Sequence, residues 1–246
     1  MASYLAQQWL LESRHRAVYP TNDATAVFIS YLPPLLEGAW VTAQLAIYST
    51  LLGALLSFTL GIGRVSEKAW LRLPSIAVIE LFRGTSLLVQ LFWIYFALPL
   101  LGEFVGLDLR LDPMLAGTTA LALNIGAYGA EVVRGALQSV SKEQHEAARA
   151  LNFTERQKLW RICLPQALPE MMPSFGNLAI QNLKDTALVS LISLGDLAFR
   201  AEQIRNFTQD STTVYTLLLF MYFGMALMLA ALMKLLARHV GRWRHS

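Results

Sequence analysis

Charge and cysteine are what this chain of 246 residues has least of. Charged side chains make up 15% of it and apolar ones 55%. A soluble domain of this length needs more charge to cover its surface. The single cysteine, Cys163, excludes an internal disulfide, and its segment is expected at the cytoplasmic surface. His15, His145, His239 and His245 have no metal-ligand spacing and none lies in an apolar run, so no metal site is expected. No Gly-x-x-x-x-Gly-Lys-Ser/Thr loop occurs, which excludes that kind of ATP site on this chain. No histidine or paired-carboxylate constellation stands at membrane depth, so no catalytic residue is assigned. The N-terminus lacks a basic stretch, an apolar core and a small-residue cleavage site, and no removable leader is expected. The net charge of +3 says little about partners by itself, and no nucleic-acid partner is expected.

What the chain does have is long uncharged runs. Residues 38–63, 84–102, 113–130 and 211–233 carry no Asp, Glu, Lys or Arg, and 171–195 is broken only by Lys184-Asp185. Each reaches or approaches the roughly 20 residues a helix needs to cross about 30 Å of hydrocarbon. A large all-helical soluble core would rarely produce so many such runs. The expected fold is an all-α integral membrane protein of five transmembrane helices, N-terminus out and C-terminus in. That orientation leaves Arg64, Lys68, Arg72, Arg83, Arg134, Lys142, Arg149, Arg156, Lys158, Arg161, Lys234, Arg238, Arg242 and Arg244 inside. Only Arg14, Arg16, Arg110, Arg200 and Arg205 remain outside, as the positive-inside rule requires.

Residues 1–34 read as an N-terminal extracytoplasmic segment closed by Pro33-Pro34. Tyr4, Leu5, Trp9, Leu10 and Leu11 in it could lie on the membrane surface as a short helix or belong to a poorly ordered tail. Residues 35–246 form the transmembrane domain. Its first span carries Trp40 near the outer end and a small-residue face of Gly53, Ala54, Ser57, Gly61 and Gly63, suited to close helix approach in lipid.

A polar loop at about 138–166 hangs between two spans. Ser141-Lys142-Glu143-Gln144 fits a capping box, so a helix should start near Lys142. Glu146, Ala147, Ala148 and Ala150 continue it. Asn152 is the natural stop, because asparagine tolerates the left-handed conformation best after glycine. Thr154-Glu155-Arg156-Gln157 is a second capping box, predicting a helix from Glu155 to about Cys163, with a change of direction at Pro165. A helix pair with small residues and basic neighbours suits docking to a soluble partner. A pair that merely links two spans is the alternative.

Polar residues at membrane depth mark function by default. Asn124, Tyr128 and Glu131 share one helical face of the third span, and Lys184, Asp185 and Thr186 interrupt the fourth. Together they offer donors and acceptors for a zwitterion and form the candidate solute path. The competing reading is an internal lattice in which Lys184 pairs with Asp185 or Glu131.

At these residues the chain resembles a known family. Glu146-Ala147-Ala148, then Asn152, then Ile162-Cys163-Leu164-Pro165 reproduces the spacing of the signature loop of ABC-importer permeases, Asn152 replacing a glycine. Three more stretches resemble the polar amino acid permease branch: Phe82-Arg83-Gly84-Thr85 with Leu87 to Leu91, Leu123-Asn124 through Arg134-Gly135-Ala136, and Leu183 to Ser190. Ser86 stands where that branch usually has proline. The resemblance runs from about Leu35 to the C-terminus.

The resemblance implies a bacterial inner-membrane, multi-pass permease subunit that works by ATP-driven alternating access. Its implied partners are a second permease subunit (identical or a related chain), an ABC ATPase dimer, a periplasmic solute-binding protein and membrane lipid. No cofactor is expected on this chain, ATP and Mg belonging to the ATPase. The implied coupling residues are Glu146, Ala147, Ala148, Asn152, Ile162, Leu164 and Pro165. The implied solute is an amino acid or an amino-acid-like molecule. Basic amino acids are expected because acidic groups are available at depth, while polar neutral amino acids, opines and ectoine stay open. A self-contained channel or secondary transporter is disfavoured by the few spans and the absence of a visible inverted repeat.

Overall fold

The structure, a computed structural model, describes residues 24–242. The surface helix considered around Tyr4 to Leu11 lies outside them, as do His15 and His245. Helices and their connections account for all of the described chain: α1 (Ala24–Val65), α2 (Ala69–Arg83), α3 (Leu87–Phe92), α4 (Leu98–Val105), α5 (Pro113–Gln138), α6 (Lys142–Ala150), α7 (Glu155–Lys158), α8 (Leu164–Asp185), α9 (Leu197–Thr208) and α10 (Ser211–Arg242). Among the described residues, three stretches are long and apolar enough to cross a membrane: Tyr31–Val65, Leu87–Val105 and Ser211–His239.

α1 runs straight through Pro33-Pro34, where the sequence suggested a boundary. Each proline removes one backbone donor, but tertiary packing holds this stretch from both sides. Tyr31 and Leu35 are buried against Leu197, Ala201 and Val214 of α9 and α10.

Two further prolines sit inside continuous helical paths by a shared device. A π-helical turn, Trp93–Ala97, joins α3 to α4 just before Leu98-Pro99. Another, Leu159–Cys163, joins α7 to α8 just before Leu164-Pro165. In both, the leucine N–H donates five residues back, to Trp93 and Leu159 respectively. The wider turn lets the hydrogen-bond ladder pass the proline, which has no N–H. Pro165 therefore does not interrupt the helix: the path from Glu155 to Asp185 is helical throughout.

The long helices alternate in direction. Leu45, Gly53 and Gly61 of α1 face Gly117, Ile125 and Val133 of α5, so these two run parallel in constant register. The α3–α4 path returns against them, Gln90 lying beside Asn124 and Leu98 and Met114 packing on the same core cluster. α8 is antiparallel to α1, since Phe175 stacks on Phe58 at 5.7 Å while Asn182 donates to Ser49 at 2.7 Å. α10 runs with α1, from Val214 beside Leu35 to Met233 beside Gly176.

α5 sits at the centre. Ala116, Ala120, Ala122, Ala127 and Ala130 are all fully buried, and small side chains let neighbours approach closely in lipid, where no hydrophobic effect drives association. A β-carbon on Gly61 would lie 2.7 Å from Val133 Cβ and 2.8 Å from the Ala130 carbonyl oxygen. Asp112 caps α5, its Oδ1 accepting from Met114 N at 2.9 Å and Leu115 N at 3.0 Å.

The seam makes a direct prediction. Gly61→Val should destabilise the detergent-solubilised protein by roughly 1–3 kcal/mol, the usual range for overpacking, seen as a lower melting temperature. Gly135→Ala, with nothing within 4 Å of its β-carbon position, should not lower the melting temperature and should raise it slightly, alanine being the better helix former.

Candidate functional site

The polar loop folds as a helix-bend-helix. α6 starts at Lys142 and stops at a left-handed Asn152 with φ of 55°. Phe153 N donates to Ala148 O at 3.0 Å and Asn152 N to Arg149 O at 2.9 Å, the paired bonds of a Schellman end. The Thr154 capping box forms, with Thr154 N donating to Gln157 Oε1 at 2.9 Å and Gln157 N to Thr154 Oγ1 at 3.3 Å. The Ser141 box does not form. Its hydroxyl turns to Glu143, which holds that carboxyl below the usual range. The Gln144 side chain instead accepts from Gln166 of α8.

Glu146, Ala147, Asn152 and Pro165 are exposed, Ile162 and Leu164 are half-buried, and Ala148 is fully buried against the bundle. The hairpin also presents two apolar side chains that motif spacing does not single out: Leu151, 67% exposed, and Trp160, 55% exposed. Cys163 is buried, contrary to the surface position expected of it. It faces inward from the π turn onto Val133, Leu137, Ala167 and Met171.

A second site lies mid-bundle. A cavity of about 320 Å³ opens where the α2–α3 turn, α5 and α8 meet, lined by Thr85, Ser86, Asn124, Tyr128, Gln181 and Asp185 among others. Gln181 Nε2 donates to Asp185 Oδ1 at 2.9 Å. Ser86 has φ of −69° and makes no side-chain cap bond. This backbone would suit the proline usual at this position, so serine keeps the path and adds a free hydroxyl to the cavity wall. Gln90 builds the cavity from behind. Its Nε2 donates to Phe82 O at 2.8 Å and Thr85 Oγ1 at 2.8 Å, and its Oε1 accepts from Asn124 Nδ2 at 3.2 Å. Arg83 stands just beyond, over the Tyr128 ring at 5.6 Å.

Of the six path candidates, the cavity brings together Asn124, Tyr128 and Asp185. Lys184 is exposed and outside its lining. Thr186 is fully buried and donates to the Leu183 carbonyl at 2.6 Å. Glu131 lies nearer the hairpin end as the hub of an ion-pair network. Arg64 NH1 reaches Glu131 Oε1 at 2.9 Å and Glu80 Oε1 at 3.0 Å, Arg134 Nε reaches Glu131 Oε2 at 3.0 Å, and Arg83 NH1 lies 4.0 Å away. The lattice considered for Lys184 is thus made by arginines instead, tying the end of α1 to α2 and α5.

Residues 27–242 match the family described as the binding-protein-dependent transport system inner membrane component. The chain belongs to this family. A probable amino-acid ABC transporter permease protein, y4tF of Sinorhizobium fredii, is 63% identical over 87% of this chain and 90% of its own length. The octopine transport system permease protein OccM of Rhizobium radiobacter is 38% identical, covering 74% of this chain and 76% of its own. Among solved structures, the crystal structure of an amino acid ABC transporter with histidines aligns with a TM-score of 0.78 at 32% identity, over 89% of this chain and 99% of that one. The fold is therefore that of a permease component.

Sequence reasoning missed Gln90 and Arg64. Their importance comes from partners 34 and 67 residues away, which no local spacing reveals. Glu131→Gln should leave Arg64 paired with Glu80 and leave Arg83 and Arg134 without a carboxylate partner. A lower melting temperature follows, by an equivalent of roughly 1–2 kcal/mol since the groups are partly solvated. Added salt should narrow the difference from wild type.

Proposed function

We propose that this chain is a permease subunit of an importer for amino acids, polar or basic ones first, and that it spans the bacterial inner membrane five times with its N-terminus outside. Five alternating passes agree with the directions of α1, α3–α4, α5, α8 and α10, and the basic residues gather at the hairpin end. A second permease subunit completes the path. A periplasmic binding protein delivers the solute, and an ABC ATPase dimer, holding ATP and Mg, supplies the energy. This chain carries no phosphate-binding loop of its own.

The hairpin carries this reading. Its left-handed bend at Asn152 projects Glu146, Ala147 and Leu151 away from the bundle, while Ala148 and Cys163 anchor its base. An apolar tip rimmed by charge fits a groove in a soluble subunit. The continuous helix from Glu155 through Pro165 to Asp185 links that tip to the cavity wall, so a displaced hairpin moves Gln181 and Asp185 with it. Alternating access then follows from closure of the ATPase pair beneath two such hairpins.

In the cavity, the solute's ammonium group faces Asp185, and its carboxylate faces the Ser86 hydroxyl. An opine is the second reading, favoured by the similarity to the octopine permease. It shares the amino acid zwitterion but is longer.

Two experiments test these assignments. In the complete complex, Asp185→Ala should lower both solute uptake and binding-protein-stimulated ATP hydrolysis by about tenfold, the scale of losing one charge-assisted contact. Wild-type levels of both would remove Asp185 from the path. Glu146→Arg should abolish coupling and weaken ATPase retention on co-purification, and a fully coupled, bound ATPase in that variant would sink the docking assignment.

A further inference from the structure

A larger cavity, of about 750 Å³, lies at the hairpin end, within the roughly 300–1,000 Å³ typical of small-molecule sites. It opens between the end of α1, the turn into α2 and the α6–α7 hairpin. Its floor is apolar, made by Ile62, Leu71, Leu137, Val140 and Leu159. Lys68, Lys142, Arg156 and Lys158 stand around that floor with only two carboxylates in the lining, Glu67 and Glu155. Lys158 is already paired with Glu155. Lys68, Lys142 and Arg156 are exposed, and no carboxylate among the described residues lies within ion-pair distance of them. The wall therefore keeps a surplus of unpaired positive charge above an apolar floor.

The site's depth says what kind of anion fits. The uncharged run of α1 ends at Gly63, directly beside the floor residue Ile62. On the first turns of α2, Trp70 and Leu73 point outward, 70% and 61% exposed. An outward tryptophan at the end of an apolar run sits at headgroup level. The cations thus stand at headgroup height and the apolar floor at the edge of the hydrocarbon.

We propose that this cavity binds the phosphate headgroup of an anionic phospholipid of the cytoplasmic leaflet. The phosphate lies among Lys68, Lys142 and Arg156, and the acyl chains leave over Ile62 and Leu71 past Trp70. Basic pockets between helices on the cytoplasmic side bind anionic headgroups in this way. A free phosphate would satisfy the cations but leave the floor wet. The lipid would bridge the α1–α2 turn and the hairpin, so its presence would stiffen the element that receives the ATPase. The inference rests on the reading that the hairpin end faces the cytoplasm.

The chain supplies its own reporter. Cys163 is its single cysteine, lines this cavity and is 4% exposed. Burial raises its thiol pKa, so labelling is run at mildly alkaline pH. The complete complex is placed in nanodiscs of phosphatidylcholine with or without phosphatidylglycerol, and maleimide addition to this chain is followed by mass. Phosphatidylglycerol should slow labelling about fivefold or more. Lys142→Glu and Lys68→Glu should each weaken that protection about fivefold, since one basic side chain at an anionic surface contributes roughly 1 kcal/mol. Lys68 lies off the hairpin, so its effect cannot arise from lost docking. The proposal is overturned if phosphatidylglycerol gives no protection, or if inorganic phosphate protects equally in phosphatidylcholine discs. It is also overturned if removing the ATPase, rather than changing the lipid, exposes the thiol. Sidedness is read separately with an impermeant maleimide on right-side-out vesicles. Labelling without permeabilisation would sink the topology while leaving the nanodisc result to stand.

Discussion

The parallel seam between α1 and α5 is the contact on which the rest of the structure depends. Gly53 meets Ile125, Gly61 meets Val133 and Gly129 meets Ser57, so the two backbones approach closely along much of their length. In lipid such approach supplies the van der Waals contact that apolar burial supplies in water. Two parallel helices cannot be joined by a short turn. The intervening chain must travel back, and α3–α4 is that return. Its start, fixed by Gln90, sets one wall of the central cavity. With α5 enclosed in the middle, α8 closes the other side of the cavity.

Polar groups are sorted along the bundle by what can neutralise them. At mid-depth the amides and hydroxyls satisfy one another: Gln90 with Thr85 and Asn124, and Asn182 with Ser49 and Thr50. A charged network stands at the hairpin end, where Glu131 is shared by arginines from three helices. That end also holds the basic cavity and the hairpin itself. The ion-pair hub, the basic cavity and the hairpin are thus adjacent parts of one end, while the central cavity reaches them through α8.

The parts of this arrangement legible in the sequence are those set by local chemistry. The Asn152 bend and the Thr154 capping box each depend on residues within one or two turns. Both stand as expected. The Ser141 box did not form: its hydroxyl turns to Glu143, and its glutamine accepts from Gln166 of another helix. Pro165 misled because the preceding π turn absorbs the missing N–H, and π turns leave no dependable mark in sequence. Cys163 was misplaced because topology locates a segment and not a side chain: packing turns the thiol onto Val133, Leu137, Ala167 and Met171. Asn124 and Asp185 were visible as polar groups in apolar runs. Gln90 was not, because its role lies in a loop eight residues back and a helix 34 residues on.

By itself, the sequence determined that this is an all-helical membrane protein, that its polar loop is a helix pair around a left-handed bend, and which family spacing that loop follows. These depend on hydropathy and hydrogen bonds within a few residues, and both are written locally. Only the tertiary structure decided which polar residues meet. It placed Asn124, Tyr128 and Asp185 around one cavity, drew Glu131 away into the arginine hub, and left Lys184 facing outward. Those outcomes depend on the relative rotation of helices far apart in the chain, and that rotation is set by where small residues allow close approach.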